Sequence, residues 1–205
     1  MFKKVASDVL GLSDIGSVIG PADYDKVDAD DYILHEDNEK IYFLIKSKTD
    51  EYCFTNRALI HLDGTSAISK KRSLKRYSYR ENTISNVMLE TAGTVDLDVE
   101  IKFVMAGISF SIDVHKKHIE ELKDLYKALI RISEICIENE ISMGYAEKSL
   151  NIASTTISRY ASSEQSNIND NFRVLNETAF NWLMNSRKKY NVKDYGYVFE
   201  KYINN

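Results

Sequence analysis

The sequence predicts a mixed α+β fold, in which a block of short β-strands precedes long helices, and two patterns of apolar residues support this prediction. From Asp96 to Val104, polar and apolar residues alternate, as in a strand that buries one face and exposes the other. After Asp113, apolar residues recur instead at spacings of three and four, which is typical of an amphipathic helix. The chain therefore changes from strands to helices near residue 113.

The first 29 residues predict a helix followed by an acidic connector. Apolar residues recur at helical spacing over residues 2–19, and Pro21, the only proline, comes directly after the end of this pattern. The acidic run from Asp23 to Asp31 predicts an exposed connector. Its solvent-facing members are expected to be Asp28, Asp30 and Asp31. We therefore expect the helix to be a separate docking element, which the connector completes to residues 1–29.

The residues between Tyr32 and Ile112 are typical of several short strands bounded by turns. The expected strands lie in the runs Ile41–Ile45, Glu51–Phe54, Ala58–Leu62, Val95–Met105 and Ser109–Ile112, with more in the region Ser73–Leu89. Asp63-Gly64 has the composition of a hairpin turn. About six or seven such strands favour a small sandwich or a partly open barrel.

The C-terminal half predicts helices. Asp113 is expected to be the N-cap of a long helix that closes the β-domain. Leu125, Ile132 and Ile135 widen the apolar stripe of this helix, which indicates contact with two elements or with another protomer. Helical spacing continues after Glu138, and an aromatic tail follows from Tyr195 to Ile203. We expect a β-domain over residues 30–137 and a helical extension over residues 138–205.

Several runs in the strand-rich block resemble a known family. They are Phe54-Thr55-Asn56-Arg57, Asp63-Gly64, Glu90-Thr91-Ala92-Gly93 and Asp96-Leu97-Asp98-Val99-Glu100-Ile101-Lys102. These runs resemble the signature of the bacterial pleckstrin-homology-like domain family, and the resemblance covers about residues 30–135. The residues after Glu138 are similar to the helical extension of YvbH-like members.

The resemblance implies a strongly bent antiparallel sheet or partly open barrel of about seven strands, capped by a C-terminal helix. It also implies a binding or assembly module without a known catalytic role, which forms ring-like homo-oligomers through its pleckstrin-homology-like domain. The expected partners are further copies of the chain, and another protein is an open alternative. The resemblance supplies no ligand, and fold analogy alone gives little support for lipid binding.

Composition and charge restrict the possible functions. The formal net charge of −4 gives no overall attraction to nucleic acid or to anionic membranes, so we expect no nucleic-acid partner. Cys53 and Cys136 are the only cysteines and have no metal-ligand spacing, which favours buried, reduced thiols. Asp8 and Asp14 interrupt the start of the chain before an apolar signal-peptide core develops, and no later run approaches the roughly 20 apolar residues that span a bilayer, so we expect a cytoplasmic location. We identify no catalytic residue, no metal site and no cofactor site.

A basic cluster is the first candidate contact surface. It consists of Lys70, Lys71, Arg72, Lys75 and Arg76. One interpretation is a solvated strand edge whose charges discourage aggregation. A second is an anion site for lipid or nucleic acid. Lipid binding would make the protein a peripheral membrane module that binds anionic lipid head groups. A third is contact with an acidic surface of a partner.

An acidic row is the second candidate surface, and it consists of Asp96, Asp98 and Glu100 on the outer face of the clearest strand. Residues two apart on a strand lie about 6.5 to 7 Å from each other on the same face. Paired carboxylates can perform catalysis, but they need a cleft and an apolar pocket around one of them. We therefore interpret the row as an inter-protomer face. Its contact with the basic cluster of a neighbour would be head-to-tail and would generate a ring.

Overall fold

The computed structural model describes residues 15–64, 72–91, 98–161 and 168–203. These residues form two compact units. The first contains the strands, the start of the long helix and the last segment, from residue 193 onward. The second comprises residues 135–192. Lys70, Lys71 and Asp96 lie outside the described residues, as does the predicted helix up to residue 14.

The strands form two antiparallel sheets. In the first sheet, five strands lie in chain order: β1 (Ser17–Val18), β2 (Ile41–Lys46), β3 (Asp50–Thr55), β4 (Ala58–Asp63) and β5 (Ser73–Ser78). The second sheet consists of β6 (Ser85–Glu90), β7 (Asp98–Met105) and β8 (Ile108–His115). Within the described residues, β5 and β6 are outer strands that do not pair with each other, so the barrel is partly open.

Gly16 joins the two sheets on the other side of the barrel. Its N–H donates to the carbonyl of Asp113 at 2.8 Å, and its carbonyl accepts from the N–H of His115 at 2.9 Å. A β-carbon at this position would lie 2.7 Å from Ile45, so only glycine fits without a shift. Residues 15–18 therefore belong to the barrel, and the expectation of helix up to residue 19 was wrong for them, because pairing with strands decides their conformation.

The core of the barrel is rich in aromatic residues. Phe54 meets Phe43 edge-on within the first sheet, and Phe103 of the second sheet lies 6.2 Å from Phe54. Phe103 stacks on Phe110 with 4.8 Å between ring centroids. Along β7, Val99, Ile101 and Phe103 are buried while the residues between them are half-buried, which confirms the predicted alternation.

A layer formed by residues 21–39 covers the outer face of the first sheet. Two 3-10 helices, Pro21–Lys26 and Asp28–Tyr32, bring apolar side chains onto this face. The resulting cluster consists of Val27, Ala29, Ile33, Leu44, Cys53, Ile60 and Leu62. Asp28 and Asp31 are exposed as expected, but Asp30 is half-buried. The interpretation as a solvated connector was wrong for this segment, because its apolar members provide a second small core.

The long helix α1 (Ile119–Ala161) begins after a 3-10 turn at Lys116–His118. The N-cap of that turn is His115, whose ring nitrogen accepts from the N–H of Lys117. Asp113 lies inside β8, so its assignment as the N-cap was wrong, because the strand ends at His115 and not at Ile112 as expected. Within the first unit, the helix buries Leu122, Leu125, Leu129 and Ile132 completely.

Two further helices follow. Helix α2 (Ile168–Tyr190) lies in the second unit, where the indole N–H of Trp182 donates to the carbonyl of Ala146 on α1 at 3.2 Å. Helix α3 (Gly196–Ile203) lies in the first unit and packs on β2. The division into parts 1–29, 30–137 and 138–205 stays a prediction, although the last segment of the chain contacts the strand-rich unit.

Candidate interaction surfaces

Exposed apolar side chains concentrate in the second unit. Seventeen large apolar side chains are exposed among the described residues, and eleven of them lie between residues 135 and 192. They are Ile137, Ile141, Tyr145, Ile152, Ile157, Phe172, Val174, Leu175, Phe180, Trp182 and Met184. Single exposed apolar residues are normal on a protein surface, but a contiguous group marks an interaction site.

Helix α1 carries one such group as a stripe. Ile137, Ile141, Tyr145 and Ile152 fall within about 80° of one another around the helix axis at 3.6 residues per turn. Tyr145 is 66% exposed and Ile152 is 69% exposed. A stripe of this width is what a helix presents to a neighbouring helix.

Helix α2 is exposed around most of its circumference. From Phe172 to Tyr190 no side chain is buried, and Phe172 and Phe180 are 70% and 62% exposed. Its face toward α1 borders a cleft of about 480 Å³, lined by Ser142, Tyr145, Ala146, Ser149, Trp182, Asn185, Ser186, Lys189 and Tyr190. In proteins, most helical stability comes from tertiary packing of an apolar face. Little of the apolar surface of α2 receives such packing within its own unit.

The described part of the basic cluster is paired with acidic groups of the same chain. Arg76 donates to the carboxylate of Glu39 at 2.8 Å, and Glu39 is only 1% exposed. Arg72 bonds to Asp28 and lies 3.9 Å from the buried carboxylate of Glu51. These two arginines therefore compensate buried or neighbouring carboxylates on the outer face of the first sheet.

Lys75 lies on the other face of β5. Successive strand residues point to opposite faces, so Lys75 and Arg76 diverge. Lys75 is opposite His61 in the ladder and bonds to Asp63 at 3.0 Å. The three described members thus form three separate ion pairs, with Asp28, Asp63 and Glu39, rather than one free cationic patch. An anion or partner contact through the cluster stays a prediction.

Hydrogen bonds determine the charge state of Glu39. Burial alone would raise the pKa of Glu39, but bonds from Arg76, from the hydroxyl of Thr55 and from the N–H of Leu34 together outweigh burial and lower it. The carboxylate therefore stays ionised inside the protein. It connects β3, β5 and the segment that precedes β2.

The acidic row is also engaged within the chain. Asp98 and Glu100 are half-buried on β7, and Glu100 is opposite Asp113 of β8 and Glu90 of β6. Lys102 bonds to Glu100 at 2.8 Å and to Glu90 at 2.9 Å. The hydrogen bond from Lys102 is the largest influence on Glu100 and lowers the pKa of its carboxyl.

Asp113 completes a line of three carboxylates across the sheet, and its place in that line was not predicted from the sequence. Partial burial, together with the charges of Glu100 and Asp98, raises the pKa of Asp113. The alternation of residues 108–115 could have placed Asp113 on the outer face, because buried Ile112 and Val114 flank it. The role of the row as an inter-protomer face stays a prediction.

A third surface, which was not predicted from the sequence, holds the end of the chain. Tyr195, Val198 and Phe199 are almost completely buried. Phe199 stacks on Tyr42 with 5.3 Å between ring centroids, and Tyr195 meets Tyr79 edge-on at 5.7 Å. We call the surface formed by Tyr42, Asn56 and Tyr79 the tail groove.

Polar contacts fix both ends of the segment in the tail groove. The amide of Asn56 donates to the carboxylate of Asp194 at 2.6 Å, and the Asn56 backbone carbonyl accepts from the N–H of Tyr195 at 2.7 Å. At the other end, the Tyr42 hydroxyl donates to Glu200 at 2.9 Å. Burial, with this bond, raises the pKa of Tyr42 to about 12, so the hydroxyl keeps its proton as a donor.

The described residues offer no metal site and no membrane-spanning helix. No group of three or more His, Cys, Asp or Glu side chains among them is arranged to hold a metal ion. In the same part of the chain, no helix is both long enough and apolar enough to cross a membrane.

A bent, partly open barrel of antiparallel strands closed by a long helix is the architecture of a pleckstrin-homology-like protein. The family profile described as bacterial PH domain matches residues 9–133. A second profile, described as a YvbH-like oligomerisation region, matches residues 144–205. The chain belongs to the bacterial PH domain family, and it carries this additional region at its C-terminal end.

Individual relatives agree with this assignment. The chain is 62% identical over 205 residues to the uncharacterized protein YvbH of Bacillus subtilis (strain 168), with full coverage of both chains. It is 31% identical over 102 residues to the uncharacterized protein YjqA of the same organism, covering 49% of this chain and 79% of that one. A crystal structure of a bacterial PH-domain protein from Exiguobacterium sibiricum 255-15 superimposes with a TM-score of 0.85 at 54% identity, covering 93% of this chain and 100% of that one. No enzymatic family is indicated by these relatives, and PH-like families are typically binding modules.

Proposed function

We propose that the protein is a non-enzymatic interaction module that self-associates through the helices of residues 135–192. The observation that carries this proposal is the set of eleven exposed apolar side chains on α1 and α2. The match of residues 144–205 to an oligomerisation region supports it independently. The same copy-to-copy contact would bury a surface that is otherwise left in water.

A second copy must bury enough apolar surface to offset the cost of association. Complete burial of one Leu- or Phe-sized side chain contributes about 1.5 to 3 kcal/mol. Association costs about 4 to 15 kcal/mol in lost translational and rotational freedom. Several side chains from each copy must therefore be buried together, and the stripe on α1 and the open faces of α2 provide them.

The proposed assembly is a ring-like homo-oligomer. A contact between two different surfaces of the same chain is head-to-tail, and it closes into a ring when the rotation allows it. The helices present two different apolar surfaces, the stripe on α1 and the exposed sides of α2. The alternative is a ring that forms through the PH-like domain itself, with the acidic row of one copy against the basic cluster of the next.

The state of the two thiols favours a cytoplasmic place of action. Neither Cys53 nor Cys136 forms a disulfide, and burial raises the pKa of Cys53 well above its usual value. Reduced thiols and the lack of a disulfide framework are typical of proteins from reducing compartments.

The test compares two full-length variants that remove exposed apolar groups from different units. The first carries Tyr145→Ser, Ile152→Ser, Phe172→Ser and Phe180→Ser in the second unit. The matched control carries Met88→Ser and Ile108→Ser, which are 51% and 43% exposed in the first unit. Sedimentation velocity at several protein concentrations gives the mass of each species.

We expect the first variant to dissociate to smaller species and the control to sediment like the unmodified protein. Because all six positions are exposed, both variants should keep their fold, which circular dichroism and thermal unfolding check. If the four substitutions leave the assembly intact, the proposed contact surface is wrong. If the control alone dissociates, assembly runs through the strand-rich unit.

A further inference from the structure

We infer that the tail groove is a recognition site for a linear aromatic peptide with the sequence of Asp194–Glu200, and that it accepts this segment from a second copy of the chain as well as from its own. The inference concerns a site in the first unit. It therefore goes beyond the proposed assembly through the helices of the second.

The contacts have the form of a short linear motif. Seven consecutive residues, from Asp194 to Glu200, make all the contacts described above with the tail groove. They bond to or stack on Tyr42, Asn56 and Tyr79. The segment provides two buried rings as anchors, one backbone N–H and a carboxylate at each end. This combination of anchors and terminal polar contacts is how peptide-binding domains recognise their ligands.

The side chains of the tail groove are positioned to bind this particular segment. Asn56 is held from both sides, because its side-chain carbonyl oxygen accepts from the N–H of Lys40 at 2.9 Å and its amide also donates to the carbonyl of Asn38 at 3.3 Å. Its amide is thereby pre-positioned to donate to a carboxylate of the tail. A β-carbon at Gly196 would lie 2.6 Å from the Tyr42 hydroxyl, so a larger residue at this position would displace a side chain of the groove.

The connection to the rest of the chain permits exchange. The segment follows α2, which belongs to the other unit, and residues 191–193 connect them without helix or strand. The docked segment is therefore a tethered ligand at high effective concentration. Swapping an identical element between copies needs no new contact and is a low-cost route to association.

The experiment measures binding of a fluorescent peptide with the sequence of residues 193–203 to the full-length chain. In the unmodified protein, the groove is filled by its own tail, so the peptide should bind weakly. We call a full-length variant whose own tail is weakened an acceptor. In the Phe199→Ala acceptor, the tail loses its main anchor, and we expect saturable binding of the peptide by fluorescence anisotropy. A peptide that carries Phe199→Ala itself should bind this acceptor at least about thirtyfold more weakly, as for the loss of an aromatic hot spot.

A charge test identifies the groove as the site. Asn56→Asp in the acceptor replaces the amide donor by a carboxylate that faces Asp194, so it should weaken binding by about tenfold. A peptide with Asp194→Asn should restore binding to that acceptor. The control peptide Lys193→Ala, changed at an exposed side chain that precedes the recognised segment, should bind like the natural sequence.

Thermal unfolding first shows which acceptors are folded. If Phe199→Ala does not fold, Asp194→Ala, which removes an exposed carboxylate, serves as the acceptor. The absence of saturable binding to a folded acceptor overturns the inference, as does equal binding of the natural and the Phe199→Ala peptides. Either of these results leaves the assembly through the second unit untouched.

Discussion

The side-chain amide of Asn56 donates a 2.6 Å hydrogen bond to the carboxylate of Asp194, 138 positions further along the chain. Asn56 lies in the turn between β3 and β4, within one of the runs on which the family resemblance rests. The bond connects that turn to the last segment of the chain. It explains why a tail with several aromatic residues can stay in place: its rings have a specific surface in the strand-rich unit.

Substitution of Gly196 by alanine should loosen the tail. The added methyl group would lie 2.6 Å from the Tyr42 hydroxyl and 3.0 Å from a carboxylate oxygen of Asp194. We expect a loss of about 1 to 3 kcal/mol in the free energy of unfolding, as for overpacking of a buried site. Cleavage by trypsin after Lys193 should become faster. Gly20→Ala is the matched control, because a β-carbon there would have nothing within 4 Å and the stability should change little.

Removal of the Arg76 guanidinium should destabilise the protein in a pH-dependent way. Arg76→Met leaves the buried Glu39 carboxylate without its cation. We expect a loss of about 3 kcal/mol at pH 7, the low end for a broken buried pair, because the Arg76 side chain is 34% exposed. The lowered pKa of Glu39 means that its contribution to stability is present above the ordinary Glu pKa and is lost as the pH falls through its folded value. The difference in the free energy of unfolding between the variant and the unmodified protein should therefore shrink in acid. Urea unfolding measures this difference at neutral pH and in acid below the folded pKa of Glu39. An equal loss in the free energy of unfolding at both pH values would contradict this role of Arg76.

Neutralisation of Asp113 should stabilise the protein at neutral pH. The raised pKa of Asp113 means that the folded state binds a proton at this carboxyl more readily than the unfolded chain does. The Asp113 charge therefore reduces stability once the pH exceeds the pKa of Asp113 in both the unfolded and the folded state. Asp113→Asn removes repulsion with Glu100 and Asp98, and we expect a gain of about 0.5 kcal/mol. The gain should vanish as the pH falls below the ordinary Asp pKa. A variant that is less stable at neutral pH would show that Asp113 makes a favourable contact instead.

Trp182 should report self-association by its fluorescence. It is the only tryptophan, lies on α2 and is 48% exposed. Contact with a second copy would remove water from the indole. We therefore expect its emission to shift to shorter wavelength and quenching by acrylamide to weaken as protein concentration rises. Emission that does not change across the concentration range in which mass increases would place the contact elsewhere.

The periodic parts of the fold could be predicted from the sequence. The alternation along residues 98–105 identifies both the strand and its buried face, because side chains on a strand have a period of two. The apolar spacing from Leu122 to Ile132 likewise identifies the helix that closes the barrel. A pattern of this kind depends only on local geometry.

The non-periodic and long-range parts could not be predicted. Val27, Ala29 and Ile33 lie in or beside short 3-10 turns among acidic residues, so their burial has no helical or strand period to reveal it. The pairing of Arg76 with Glu39 joins positions 37 residues apart, and only the folded chain shows it. Local charge made the basic cluster prominent, whereas the distant carboxylates that compensate its three described members have no local signal in the sequence.

The most direct test of self-association is the mass of the unmodified full-length chain in solution, measured by multi-angle light scattering after size exclusion at several concentrations. A ring-like assembly predicts a discrete mass that is a whole-number multiple, greater than two, of the 23.5 kDa chain. A mass of one chain at every concentration would contradict self-association through the exposed helices.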